Sequence, residues 1–82
     1  MEELKNIYSY LESNRLYADD IRHSLEIPCI VEVEISWGDW KHEHLRCDYL
    51  MKELGYLEIG EELTEEDGSD CYSAIHRYVM GV

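Results

Sequence analysis

The sequence has no lysine or arginine between Glu53 and His76. The whole chain of 82 residues has only seven lysines and arginines against nineteen aspartates and glutamates, which gives a formal net charge of -12. Such a protein repels nucleic acid and anionic membranes, and it attracts basic surfaces through an interaction that salt weakens. The charge therefore excludes direct binding to nucleic acid or to a membrane surface, and it predicts a basic macromolecule as partner.

Other features are also missing. No apolar run approaches the length of a membrane span, and the first residues have neither the basic nor the apolar region of a secretory signal. The three cysteines, Cys29, Cys47 and Cys71, are an odd number without a C-x-x-C pair. This pattern is typical of reduced thiols rather than of a disulfide or zinc framework. We therefore expect a soluble, cytoplasmic protein.

The length predicts one domain over residues 1–82, which buries roughly 60–65% of its unfolded surface. The hydrophobic fraction of 45%, with seven tyrosines and two tryptophans, is too high for a disordered acidic tail. The glycine patterns that bind phosphate or dinucleotides are absent. The chain must therefore fold despite its own charge repulsion.

The first half of the chain predicts one helix and one or two strands. A helix is predicted over residues 2–13, where one apolar stripe recurs at helical spacing: Leu4, Ile7, Tyr8 and Leu11. Residues 15–27 fit either a short helix capped by an aspartate or a strand. We favour a strand, because Pro28 and a clear strand follow. That strand is Cys29–Trp37, whose odd-numbered residues are predicted to point inward and whose even-numbered ones outward.

The second half predicts a helix and two strands. Ser36 or Asp39 is the expected N-cap of a helix over residues 40–54, with Gly55 as its C-cap. A strand is predicted over residues 56–63, with three inward side chains: Leu57, Ile59 and Leu63. A polar loop with a tight turn at Asp67 is expected over residues 64–70. Residues 71–80 are apolar on both sides, which predicts a central strand.

These elements follow the order α-β-β-α-β-β. We predict an α+β fold of two layers, with a mainly antiparallel sheet of about four strands and two helices on one of its faces. The other face is expected to be open to solvent and to carry Glu32, Glu34 and Glu58.

The segment Trp37–Cys47 concentrates residue types that bind metals. His42 and His44 diverge by about 200° on a helix, so they cannot share one ion. The pairs that do share a face are His44 with Cys47 or Asp48, and Asp39 with His42 or Glu43. None of these completes a tetrahedral set, and packing explains the same residues. We predict no metal and no cofactor, and keep a small metal- or ligand-binding domain in this segment as the alternative.

Catalytic arrangements are also incomplete. Cys71 with His76, or Cys47 with His44, would form a thiol–imidazole pair. Cys47, however, lies on an apolar stripe, where an inert buried thiol is expected, and Cys71 and His76 fall on opposite faces of a strand. The acidic residues 64–70 lack the spacing of a calcium loop. The sequence therefore predicts that the protein is not an enzyme.

In its small size, its charge and its acid-rich segment from Glu53 to Asp70, the chain resembles the small anti-defence proteins of phages, namely anti-CRISPR proteins and DNA-mimicking inhibitors. The resemblance implies an inhibitor in the host cytoplasm that blocks the basic nucleic-acid groove of a defence nuclease. The residues we expect to contact the partner are Glu58, Glu61, Glu62, Glu65, Glu66, Asp67 and Asp70, with Glu32 and Glu34 as second choice. A homodimeric accessory protein is a further alternative.

Overall fold

A computed structural model of the chain describes residues 2–37, 42–67 and 71–81. It confirms the α+β class and the order α-β-β-α-β-β. The elements are α1 (Glu2–Ser13), β1 (Asp20–His23), β2 (Val31–Trp37), α2 (His42–Glu53), β3 (Tyr56–Asp67) and β4 (Cys71–Met80). All strand pairs are antiparallel, and the sheet order is β1-β2-β4-β3. The central strand is therefore β4, flanked by β2 and β3, as its two apolar sides predicted.

The first helix has the predicted bounds, and it buries Ile7 and Leu11. Its end shows how a helix can stop without glycine. Arg15 takes a left-handed conformation with a φ of 62°, and the amide of Leu16 donates to the carbonyl oxygen of Leu11 at 2.9 Å. This hydrogen bond and the burial of both leucines are typical of the Schellman motif.

The second helix ends as predicted, because Gly55 follows it with a φ of 97° and donates its amide to the carbonyl of Lys52 at 3.0 Å. At its start, the described part of the helix begins at His42. Ser36 lies within β2 and does not cap the helix, whereas Asp39 lies outside the described residues.

The ambiguous residues 15–27 contain a short strand, β1, which pairs with β2. The preference for a strand is thus confirmed over residues 20–23 only. The prediction that Cys29 points inward was wrong, because β2 begins at Val31 and Cys29 is exposed. The amide of Ile30 donates to the carbonyl of Ile27 at 2.9 Å, so the chain turns just before the strand.

The prediction that Leu57, Ile59 and Leu63 are buried was wrong, although Leu63 lies opposite the buried Ala74 and so on the side that the helices cover. Leu57, Ile59 and Leu63 are each 52% exposed, whereas Tyr56 is 4% exposed. The strand also continues to Asp67, through residues that were predicted to form a loop.

A β-bulge at Ile59 changes the alternation of this strand. The register shifts between Glu58 and Gly60, so Glu58 lies opposite Tyr78 and Glu61 lies opposite His76. Tyr78 and His76 are buried, so both glutamates lie on the face that the helices cover. The prediction that Glu58 lies on the open face was therefore wrong.

The core lies between the helices and one face of the sheet. It includes buried aliphatic residues of both helices and of the two strands β1 and β2, among them Leu11, Met51, Ile21, Val33 and Ile35. Neither helix in the described part of the chain is long and apolar enough to cross a membrane.

Candidate functional site at the acidic edge strand and the buried histidine pair

Most of the acids predicted to contact a partner lie on one strand. β3 is an edge strand of twelve residues, hydrogen-bonded to β4 on one side. It carries six of the nine predicted acids: Glu58, Glu61, Glu62, Glu65, Glu66 and Asp67. Asp70 lies outside the described residues. The fold thus converts an acidic stretch of sequence into an acidic edge of the sheet.

The acids of β3 divide between the two faces of the sheet. Glu61 is 56% exposed and lies on the covered side, close to the histidines. Glu62 lies on the open face, where its carboxylate binds Arg77 at 2.8 Å. The acids of residues 65–67 are placed by their register opposite residues 71–73, and their side chains lie outside what the structure describes.

The two second-choice acids lie on the open face, as predicted, and the fold itself uses both of them. The carboxylate of Glu32, 13% exposed, accepts hydrogen bonds from Nε of Arg22 and Nε of Arg77, each at 3.0 Å. Glu34 binds Arg22 at 3.2 Å. These acids therefore offer a partner less unpaired charge than Glu61, which forms no ion pair with lysine or arginine among the described side chains.

A pair of buried histidines lies on the other face of β4. His76 is fully buried on that strand, and His44 is 6% exposed on α2. Nδ1 of His44 is in direct hydrogen-bonding contact with Nε2 of His76, and the ring centroids are 4.5 Å apart. His44 belongs to the apolar stripe by which α2 packs on the sheet, and His76 alternates with the buried Ala74 and Tyr78. The pair thus joins the helix to the central strand.

Three carboxylates surround this pair. Nδ1 of His76 lies 2.7 Å from Oε2 of Glu58, 3.5 Å from Oε2 of Glu61 and 3.8 Å from Oδ1 of Asp48. Oε2 of Glu61 is also 3.9 Å from Nδ1 of His44. Burial raises the pKa of the Glu58 carboxyl, and its hydrogen bond with His76 opposes that shift. Three carboxylates so close together repel one another, so the cluster favours binding of a proton or a metal ion over a state in which all three carboxylates are charged and nothing is bound.

Asp48 is held by a neutral donor. The hydroxyl of Tyr78 donates to Oδ1 of Asp48 at 2.6 Å and lies 3.3 Å from the sulfur of Cys47. Burial raises the pKa of the Tyr78 phenol, so it stays protonated and able to donate. Cys47 is fully buried beside it, which agrees with the interpretation of an inert thiol.

Among the described side chains of the predicted metal-binding segment, His44 alone belongs to this cluster. Asp39 and the side chains of His42 and Glu43 lie outside what the structure describes, and Cys47 contacts Tyr78 instead. The neighbours of His44 in the cluster come from β3 and β4, which are distant from the segment in sequence. In the sequence, the local sign of this cluster was the spacing of His44 and Asp48, which lie four residues apart on one face of a helix.

Comparisons of the chain with protein-family models, with curated protein sequences and with solved structures find no significant match. The function is therefore argued from the geometry and charge of the chain itself.

Proposed function

We propose that this chain is a small, non-enzymatic acidic protein that binds the basic nucleic-acid groove of another protein and blocks it. The observation that carries the proposal is the concentration of six acids on the edge strand β3, of which Glu58 and Glu62 already have partners within the fold. A groove that neutralises phosphates with lysine and arginine also attracts carboxylates, which form charge-assisted hydrogen bonds with those side chains. More specifically, we propose that the partner is a defence nuclease and that the protein acts as an anti-CRISPR or DNA-mimicking inhibitor in the host cytoplasm.

The edge strand offers apolar area as well as charge. Leu57, Ile59 and Leu63 are about half exposed among the acids of β3. Complementary charge mainly raises the association rate and sets specificity, whereas buried apolar and aromatic contacts slow dissociation. A surface with both features suits a stable complex with a basic protein.

A basic partner fits this edge better than a second copy of the chain. Two copies, each with a net charge of -12, repel one another, and the repulsion is strongest at low salt. Two register shifts in β3, near Ile59 and near Thr64, also interrupt the regular backbone pattern that edge-to-edge pairing needs. Docking through side chains is therefore the mode we propose.

The experiment uses a pair of triple variants with equal loss of charge. The test variant changes Glu65→Gln, Glu66→Gln and Asp67→Asn on the edge strand. The control changes Glu2→Gln, Glu12→Gln and Glu26→Gln, which are exposed in α1 and in the loop after β1. The immobilised proteins capture partners from a bacterial lysate at low salt, and excess duplex DNA or RNA is then added as competitor.

We expect the wild type and the control to retain a nucleic-acid-binding protein that the competitor displaces, and we expect the edge variant to lose it. The loss should exceed about tenfold in affinity if three charge-assisted contacts disappear. Equal loss in both triple variants would show that net charge alone is responsible. Partners that nucleic acid does not displace would contradict the groove-blocking mode. Either result overturns the proposal.

A further inference from the structure

The histidine pair is a second feature of the molecule, on the covered side of β4 and away from the open sheet face. His76 is fully buried, and His44 is nearly so. Two imidazole nitrogens in direct contact cannot both direct lone pairs at each other, so one of them carries a hydrogen and donates it in an N–H···N hydrogen bond. A metal ion held by both rings would replace that hydrogen, and the surroundings of the pair bear on whether it does.

The hydrogen bond to Glu58 orients His76. Oε2 of Glu58 lies 2.7 Å from Nδ1 of His76, and an ionised carboxylate at this position accepts a hydrogen bond from an Nδ1–H group. Nε2 then presents its lone pair toward His44. Histidines that bind metals commonly donate their other N–H to a carboxylate, which fixes the tautomer and strengthens the ligand. His76 is therefore arranged as a metal ligand would be.

Glu61 supplies a third ligand atom on the solvent side. Its Oε2 lies 3.9 Å from Nδ1 of His44, and each of His44, Glu61 and His76 offers an atom within 4.8 Å of the other two. Ligands about 2.0–2.2 Å from a zinc ion in a tetrahedron are about 3.3–3.6 Å from one another. Small movements of the side chains would therefore bring the three atoms around one ion.

Three carboxylates lie close to the pair, and none of them is paired with lysine or arginine among the described residues. Asp48, Glu58 and Glu61 all lie within 4 Å of Nδ1 of His76. None of the three forms an ion pair with lysine or arginine in the described part of the chain. Two neutral imidazoles with carboxylates are the ligands that zinc and similar transition-metal ions favour, whereas calcium and magnesium favour oxygen ligands alone.

We propose that His44, His76 and Glu61 bind one divalent transition-metal ion of the zinc type, with water from the exposed side of Glu61 as a further ligand. Glu58 acts as a positioning residue that holds the His76 ring. The ion would join α2 to β3 and β4, and binding would therefore stabilise the fold.

The test compares Glu61→Gln with Glu62→Gln in protein stripped of metal with a chelator. These neighbours lose the same charge, but Glu61 faces the histidines and Glu62 faces Arg77 on the opposite side of the sheet. Zinc affinity is measured by competition with a chromophoric chelator, cobalt(II) absorption reports the ligand set, and thermal unfolding is followed with and without one equivalent of zinc. His44→Gln and His76→Gln test the two imidazoles, and His23→Gln, which removes a histidine bound to Glu3, is their control.

We expect one ion per chain for the wild type, for Glu62→Gln and for His23→Gln, with a rise in the unfolding temperature. Glu61→Gln should weaken binding at least about tenfold and still fold. The two histidine variants should lose tight binding, with circular dichroism as the check of folding. Equal affinity of the Glu61 and Glu62 variants would show that Glu61 is not a ligand, and weak binding to several sites would show that no specific site exists. Either result would overturn the proposal.

Discussion

The two faces of the central strand β4 bind acidic neighbours in different ways. On the open face, Arg77 binds Glu32 and Glu62, and Arg22 binds Glu32, Glu34 and Asp20. On the covered face, three carboxylates lie around a histidine pair, so their neighbours are imidazole rings and not guanidinium groups. Arginine stays charged at any pH at which the protein folds, whereas an imidazole carries a charge only after it binds a proton.

This difference separates a structural surface from a candidate site. On the open face, each of the four acids is paired with an arginine, so that two guanidinium groups offset part of their charge. On the covered face, the three acids have no lysine or arginine partner among the described residues, so a proton or a metal ion from solution would offset their charge. Ligand chemistry is therefore expected on the covered side, while the open face contributes to the stability of the sheet.

The largest expected effect comes from replacing the neighbouring residues His76 and Arg77 separately with alanine. His76→Ala removes a fully buried ring and leaves Glu58 without its hydrogen bond, so we expect the free energy of unfolding to fall by about 2–4 kcal/mol. Arg77→Ala removes the partly exposed ion pairs with Glu32 and Glu62 and should cost about 0.5–1 kcal/mol. Urea unfolding in metal-free buffer measures both. Equal losses would show that the two faces do not differ as argued.

A smaller effect tests the open face alone. Glu32 joins Arg22 to Arg77 and is 13% exposed, whereas Glu34 is 32% exposed and, among the described residues, forms an ion pair with Arg22 alone. We expect Glu32→Gln to lower the free energy of unfolding by about 1 kcal/mol and Glu34→Gln to lower it by less than half of that, because solvent screens the more exposed pair of Glu34 with Arg22. Urea unfolding at low and high salt measures both variants. The difference should shrink at high salt, and a difference that salt leaves unchanged would argue for packing rather than charge.

The smallest effect concerns Glu3, whose carboxylate accepts a hydrogen bond from a neutral hydroxyl, in contrast to the acids bound to arginine or imidazole. Tyr56 donates to Glu3, and His23 lies 2.8 Å from the same carboxylate. These hydrogen bonds lower the pKa of Glu3 from its ordinary value of about 4.5. Glu3 therefore stabilises the fold above pH 4.5, and this contribution is lost as the pH falls through the lower pKa of the folded state.

We accordingly expect Glu3→Gln to lower the free energy of unfolding by less than about 1 kcal/mol at pH 7, because the carboxylate is half exposed. The loss should begin to shrink as the pH falls below the ordinary pKa of a glutamate, and it should vanish below the lower pKa of the folded state. Unfolding at a series of pH values measures it, with Glu2→Gln in the same helical turn as the control. A loss that persists at low pH would assign the effect to packing instead.

Much of the fold could be predicted from the sequence because it depends on local patterns. The apolar stripe predicted α1, the alternation over Cys29–Trp37 predicted β2, which begins two residues later than expected, and the apolar sides of residues 71–80 predicted that β4 is a central strand. The prediction for β3 failed because its apolar residues alternate regularly, and alternation cannot show which of two faces is buried. The bulge at Ile59, which the pairing with β4 produces, then shifts Glu61 to the covered side.

The order of the elements, the excess of negative charge and its concentration between Glu53 and Asp70 follow from composition and periodicity, which are local properties of the chain. The contact of His44 with His76, the approach of Glu58 and Glu61 to that pair, and the binding of arginines to Glu32 and Glu34 are visible in the folded chain alone. Those contacts depend on strand register and on helix packing, which are set by residues far apart in the chain.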